Sequence, residues 1–116
     1  DNNYVLNENT AGSSFYFKRD NIPNRLDLFV ILDDKSSISA EKNLKEFLDT
    51  FEEVKFEKHL LDDKLTQELG IKTFPIFLIN NQVKFSGVQS ADTIKGNFCK
   101  LNKLKECEKS LSKSLV

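Results

Sequence analysis

The chain has 116 residues and a net charge of −1, with 39% hydrophobic and 30% charged residues. This is enough chain for one domain with one hydrophobic core. The near-neutral charge excludes a strong overall attraction to nucleic acid or to an anionic membrane. The sequence has no run of 18 apolar residues, so it predicts no transmembrane helix.

The N-terminal part of the chain is polar and rich in asparagine, and we expect residues 1–25 to form an N-terminal arm before a domain at 26–116. The aromatic run at 15–17 predicts either an edge strand or a short segment that packs on the core. The chain begins at Asp1 and contains no methionine. We therefore expect a processed form or an excised domain. The segment that was removed could be a signal peptide or a membrane anchor.

Hydrophobic periodicity predicts the secondary structure of the remaining chain. Unbroken apolar runs indicate buried strands, and apolar positions three and four apart indicate helices. The predicted elements are a strand at 28–32, a helix through 39–51, a strand at 54–61, a short helix from 62 to 70, strands at 74–79 and 83–85 joined by a hairpin turn at 80–82, and a helix from 90. This β–α–β–α–β–β–α order predicts an α/β fold, with an extra helical segment at its C-terminal end.

Cys99 and Cys107 are the only cysteines. In one straight helix they would lie about 12 Å apart along the axis, whereas the Cα atoms of a disulfide lie about 4.4–6.8 Å apart. They can pair only if the chain turns between them, and Asn102 is the predicted turn. Pairing, which we favour, indicates an oxidising compartment. Unpaired, they would be one buried and one surface cysteine of a cytosolic protein.

Two short motifs accompany these elements. Ser36-Ser37-Ile38-Ser39 follows a buried strand and opens a helix, and Thr73-Phe74-Pro75 leads into another apolar strand. Together they resemble the thioredoxin superfamily, in particular extracytoplasmic thioredoxin/Dsb-like thiol–disulfide oxidoreductases. The ends of the tetrapeptide are redox cysteines in that family. The resemblance thus implies a thioredoxin-like fold in which Ser36 and Ser39 occupy the catalytic positions.

Cysteines at a helix start are reactive because the unpaired N–H groups and the helix dipole there favour a thiolate. A serine hydroxyl neither ionises at neutral pH nor forms a disulfide. We therefore expect no redox turnover with Ser36 and Ser39 in place. Three explanations stay open: an engineered double substitution of an active enzyme, a naturally redox-inactive relative, or ordinary serine caps of a helix.

The resemblance also implies a substrate groove beside the tetrapeptide. Its predicted members are Ser37, Ile38, Phe74 and Pro75, with a cis Phe74–Pro75 bond where a trans bond is the alternative. An extended protein segment would pair with this edge. The chain departs from the family at Val30, where thioredoxins carry a buried aspartate.

The resemblance implies a thiol–disulfide oxidoreductase domain, which we expect to be monomeric. The expected cysteine pair places it outside the cytoplasm, whether secreted, periplasmic or membrane-anchored. Its expected partners are protein thiol or disulfide substrates and a redox partner, without nucleic acid and without a cofactor. His59 is the single histidine, and with no second ligand in view we expect no metal site. The alternative function is a redox-inactive protein-binding or chaperone module, and a weaker one assigns the chemistry to Cys99 and Cys107.

Overall fold

The computed structural model describes residues 4–6 and 15–111. These residues form a mixed α/β fold around one six-stranded sheet. The elements are β1 Tyr4–Leu6, β2 Phe15–Phe17, β3 Arg25–Phe29, α1 Lys35–Thr50, β4 Lys55–His59, α2 Lys64–Glu68, β5 Ile76–Ile79, β6 Val83–Ser86, α3 Ala91–Leu101 and a 3₁₀ helix Lys105–Glu108. The β–α–β–α–β–β–α order predicted for the domain is present from β3 onward.

The strand order across the sheet is β1-β2-β6-β5-β3-β4. β3 and β4 are parallel and are joined by α1, whereas β3–β5, β5–β6, β6–β2 and β2–β1 are antiparallel. Two strands from the predicted arm therefore extend the sheet beyond β6. The strand predicted at 15–17 is present, but it lies inside the sheet because β1 pairs with its outer side.

The first predicted core strand is shifted toward the N-terminus. We expected 28–32, but β3 runs from Arg25 to Phe29. Val30 still donates its backbone N–H to the carbonyl of His59 at 2.9 Å, and the chain then leaves the sheet. Asp33, with a φ of 60°, forms the turn into α1. Ile31 and Leu32 therefore lie on the surface rather than in the core.

The hydrophobic core lies on both faces of the sheet. On one face, α1 and α3 cover β3 and β5, and the rings of Phe47, Phe51 and Phe98 stack and meet edge-to-face. On the other face, the smaller cluster around Phe29 is covered by the α2 region. Alternate residues of β3 thus pack against different helices. No helix among the described residues is long and apolar enough to cross a membrane.

The predicted turn between the last two strands is confirmed. Asn80 and Asn81 adopt φ values of 55° and 66° between β5 and β6. Ile79 pairs with Val83, so the loop has three residues, and asparagine tolerates the positive φ of the first two better than most residues do. The Asn80 carbonyl accepts the N–H of Ile22, and the Asn81 amide donates to the carbonyl of Asp20, so this turn also holds the segment before β3.

The chain turns after α3, and Cys99 and Cys107 are joined by a disulfide with Cα atoms 6.0 Å apart. The turn lies near Asn102 as expected, but its mechanism differs. Asn102 is extended, with φ −135° and ψ 134°, instead of left-handed. Its buried side chain donates to the Phe98 carbonyl and accepts the backbone N–H of Asn24. Side-chain hydrogen bonding thus ends the helix, which removes the need for a left-handed residue.

Candidate functional site

The predicted site residues meet at one edge of the sheet, where β3 and β4 end and β5 begins. Phe29 is aligned with His59 on one side and with Ile76 on the other. Pro75 precedes Ile76, so the register places it beside Val30 and the start of α1. We call this side of the molecule the carboxyl edge, and it consists of the loops 30–34, 60–63, 70–75 and 87–90.

α1 begins at this edge one residue before the tetrapeptide. Its N-cap is Asp34, whose Oδ2 accepts the backbone N–H of Ser37 at 2.8 Å. Serine as the N-cap, the alternative left open by the sequence, is therefore wrong. The carboxylate satisfies one of the free N–H groups at the helix start and places a negative charge against the positive end of the dipole.

The three serines differ in exposure. Ser36 and Ser39 are exposed and one turn apart on the same side of α1. Ser37 is buried, and its Oγ accepts the backbone N–H of Ile31 at 3.1 Å. We expected Ser37 to contact substrate, but its side chain holds the β3–α1 turn and does not reach the surface. The positions predicted to carry catalytic cysteines are the accessible ones.

The other predicted groove residues also differ in their exposure to solvent. Ile38 is 57% exposed on the first turn of α1, Phe74 is half-buried, and Pro75 is buried. The Phe74–Pro75 peptide bond is cis, as expected. The Pro75 carbonyl accepts the N–H of Gly87 at 3.0 Å, which joins the loop after β6 to the same edge.

Exposed apolar side chains are concentrated around these residues. Of the eight large hydrophobic side chains that are exposed within residues 16–111, five lie at the carboxyl edge or on the first turn of α1. This carboxyl-edge patch consists of Ile31, Leu32, Ile38, Leu61 and Val88. Single exposed apolar residues are ordinary, whereas exposed apolar residues gathered at one edge are a feature of surfaces that bind a protein, a membrane or a ligand.

A groove between α1 and β4 adjoins the patch at Ile38. It is open, has a volume of about 500 Å³, and is bordered by β4, the outermost strand of the sheet. Its apolar lining is Ile38, Leu44, Leu48 and Phe56, and Glu41, Lys42 and Lys45 line it as well. The groove extends the apolar surface along α1, away from the serines.

A buried polar network, which the sequence did not reveal, lies on the α2 face of the sheet. Asp27 is fully buried in β3. It accepts two hydrogen bonds from Arg25, at 2.8 and 2.7 Å, and lies 2.8 Å from Nε2 of His59. Arg25 also donates to the exposed Glu57 at 2.8 Å. The hydrogen bond to Asp27, together with Glu57, raises the pKa of Arg25 above its usual value, although burial opposes the shift.

His59 is thus not an isolated histidine. It is buried, stacks on Phe29 with ring centroids 4.7 Å apart, and pairs with Asp27 across the β3–β4 ladder. One sequence signal was present: Arg25 and Asp27 are two apart in a strand, so their side chains share a face. Val30, where thioredoxins carry an aspartate, is buried in the opposite core, so Asp27 does not replace that carboxylate directly.

The disulfide and the two exposed serines lie far apart in the folded structure. α3 begins near the carboxyl edge, after β6, and ends where Asn102 contacts Asn24, just before β3 begins. Cys99 and Cys107 therefore lie at the opposite edge of the sheet from Ser36 and Ser39. This separation favours a structural role for the disulfide over a shared redox site.

Comparison of the chain with protein-family models, with curated proteins and with solved structures finds no match.

Proposed function

We propose that this chain is a thioredoxin-fold domain built for thiol–disulfide exchange with protein substrates outside the cytoplasm, and that Ser36 and Ser39 stand at the positions of its two redox cysteines. The strand order β6-β5-β3-β4, with its one parallel pair bridged by α1, supports the fold. The Cys99–Cys107 disulfide is compatible with the proposed location. With serine at both positions the domain binds substrate without exchanging disulfides.

One observation carries this proposal: two exposed positions, one helical turn apart at the start of α1, lie at the same edge as Pro75 and inside the carboxyl-edge patch. Side chains three apart on a helix have Cβ atoms about 5–6 Å apart, and a disulfide needs about 3.5–4.5 Å. A modest tightening of the first turn would therefore let cysteines at 36 and 39 form a disulfide.

The proposed exchange proceeds in two steps. A thiolate at 36 attacks one sulfur of a substrate disulfide, which forms a mixed disulfide and releases the other substrate sulfur as a thiolate. The thiol at 39 then loses its proton and attacks the sulfur at 36, which frees the second substrate thiolate. The substrate is reduced by two electrons and the 36–39 pair is oxidised by two electrons. The substrate thiolates take up the proton lost from the thiol at 39 and, from solvent, the proton that the thiol at 36 released when it ionised.

Local charge moderates this reactivity. The free N–H groups at the start of α1 favour a thiolate at 36, and Lys35 adds positive charge. Asp34 already takes one of these N–H groups, and Asp33 lies beside it, so both carboxylates oppose the thiolate. We expect a thiol at 36 to have a pKa below the usual 8.5 or so, with a smaller shift than at a helix start free of carboxylates.

A redox-inactive protein-binding module is the second candidate, and the carboxyl-edge patch favours it. Binding through Leu32, Ile38 and Val88 requires no sulfur, so the serines would be native residues. The codons at positions 36 and 39 in the native gene separate the two candidates. Cysteine codons support the enzyme, and serine codons support the binding module.

The Ser36→Cys/Ser39→Cys variant is expected to reduce insulin disulfides with turnover when a dithiol is supplied, because it restores both sulfurs at the helix start. The Ser36→Ala/Ser39→Ala variant is the matched control and should show the uncatalysed rate only. Insulin precipitation reports the rate, and absorbance of the thiolate against pH reports its pKa. A thiol at 36 that titrates near 8.5, without turnover, would contradict the proposal.

The Ser36→Cys variant alone is expected to accumulate mixed disulfides with substrate proteins, because no thiol at 39 resolves them. Two variants with one added cysteine each serve as controls. Ser39→Cys tests which position attacks, and Ser90→Cys places an exposed thiol at the N-cap of α3. Non-reducing electrophoresis with mass spectrometry counts the adducts. Equal yields from all three variants would mean that position 36 has no special reactivity.

A further inference from the structure

His59 faces an open pocket on the α2 side of the sheet. The pocket has a volume of about 460 Å³ and lies between the end of β4 and α2. Its lining residues are Glu57, His59, Asp63, Lys64, Leu65 and Glu68. The side chain of His59 is only 7% exposed, so it reaches this pocket from inside the fold. The pocket belongs to neither the serines nor the apolar groove.

The hydrogen bond to Asp27 determines which ring nitrogen carries a proton. Both oxygens of Asp27 accept hydrogen bonds from Arg25, so its carboxyl group serves as an acceptor. Nε2 of His59, 2.8 Å from Oδ1, must therefore be the N–H donor. In the neutral ring this leaves the lone pair on Nδ1. Metal-binding histidines are commonly oriented in this way by a carboxylate on the other nitrogen.

Nδ1 has no hydrogen-bond partner among the residues that the structure describes. Oδ2 of Asp63 lies 3.9 Å from Nδ1, which is beyond hydrogen-bond distance. Two ligands of a tetrahedral zinc ion lie roughly 3.3 Å apart, given bonds of about 2.0 Å. Asp63 is 42% exposed at its side chain, so a movement of less than about 1 Å would bring both atoms to that spacing.

We propose that His59 Nδ1 and the Asp63 carboxylate bind a divalent transition-metal ion such as Zn²⁺, completed by Glu68 and by water. Imidazole nitrogen and carboxylate oxygen are ordinary zinc ligands. The pocket contains three carboxylates against one ammonium, that of Lys64, so its charge favours a cation. This site is independent of the thiol–disulfide function proposed above.

A second arrangement of the same residues is less suitable. Ligand atoms of Asp27, Glu57 and His59 lie within 4.8 Å of one another on the inner side of the ring. Arg25 donates hydrogen bonds to both of these carboxylates, so a cation there would have to displace the guanidinium. The outer site leaves the Arg25–Asp27 pair intact and uses it to hold the ring.

The single histidine makes the test direct, because its ring nitrogens give the only imidazole signals in a ¹⁵N–¹H correlation spectrum. We expect an Nε2–H tautomer without metal and a large shift of the Nδ1 resonance on addition of Zn²⁺. Co²⁺ should bind at one equivalent with a visible absorption band that Zn²⁺ abolishes. An unchanged Nδ1 resonance at millimolar Zn²⁺, or metal on Nε2, would overturn the proposal.

Asp63→Asn is the decisive variant. The asparagine oxygen can still accept the backbone N–H of Leu60, as Asp63 does at 2.8 Å, so the turn is preserved while the charge is lost. We expect Co²⁺ affinity to fall at least tenfold, whereas the exposed neighbour variant Asp62→Asn should retain it. His59→Gln should abolish binding, with circular dichroism to check folding. Equal affinity of Asp63→Asn and Asp62→Asn would overturn the site even if His59→Gln failed to fold.

Discussion

Replacing Asp27 by alanine is expected to lower the free energy of unfolding by about 3–5 kcal/mol. Asp27 is fully buried and accepts hydrogen bonds from both Arg25 and His59. Without it, the Nε2–H of His59 loses its acceptor in the interior, and the Arg25 guanidinium keeps only the exposed Glu57. Breaking a buried pair in this way costs more than the pair contributed, because the remaining partners stay desolvated.

Glu57→Ala is the matched control because it removes the other carboxylate bound to Arg25. Glu57 is 58% exposed, so its ion pair is screened by water and the loss should stay below about 1 kcal/mol. Urea unfolding followed by circular dichroism measures both variants against the unsubstituted chain. Similar small losses for Asp27→Ala and Glu57→Ala would show that the network is not a principal source of stability.

A third variant tests whether the buried polar groups themselves contribute to the stability of the fold. Replacing Arg25, Asp27 and His59 together by methionine, leucine and phenylalanine removes every member that needs a partner. Buried ion pairs replaced by apolar residues of similar volume are often neutral or stabilising. The triple variant should therefore be more stable than Asp27→Ala, despite carrying more substitutions, but it should lose the proposed metal site.

The sequence predicted those parts of the fold that are determined by neighbouring residues. Apolar periodicity indicated α1 and α3, and two adjacent asparagines indicated the turn between β5 and β6. The element order followed from these local patterns. The boundaries of β3 did not follow, because Leu28–Leu32 is uniformly apolar and a strand that leaves the sheet after Phe29 has the same composition as one that continues.

In the candidate site too, the sequence indicated what depends on neighbouring residues and missed what depends on the tertiary structure. Ser36 and Ser39 were proposed as site residues from their spacing behind a strand, and Pro75 from the motif that precedes β5. Ser37 was misjudged because its exposure depends on how the turn folds back onto the Ile31 N–H. Exposure at a turn is a tertiary property, so the tetrapeptide alone could not reveal that its second residue is buried.

The carboxyl-edge patch and the Asp27 network both depend on strand register. Asp27 and His59 are 32 residues apart, and only the parallel alignment of β3 with β4 brings them into contact. Leu61 and Val88 reach the same edge as the start of α1 only because β4 and β6 both end there. Register arises from pairing between distant segments, which single-sequence periodicity does not specify.

Removing the disulfide by Cys99→Ala/Cys107→Ala is expected to lower the free energy of unfolding by roughly 2–3 kcal/mol. The bridge spans eight residues and holds the segment after α3 against the helix. The freed segment includes Leu104 and Leu111, which pack on the main core, and Asn102, whose side chain joins α3 to the turn before β3. Loss of the bridge should loosen these contacts first, because they belong to the segment that the bridge holds against α3.

Reductant sensitivity is the matched control for this prediction. A phosphine reductant should destabilise the unsubstituted chain by a similar amount and leave the double alanine variant unchanged, since only the former has a bond to lose. Hydrogen exchange should show faster exchange around Asn102 and the 3₁₀ helix in both cases, with the first turn of α1 unaffected because it lies at the other edge of the sheet. If loss of the bridge speeds exchange at the start of α1 as much as near Asn102, the disulfide is coupled to the serine site, and its purely structural role is wrong.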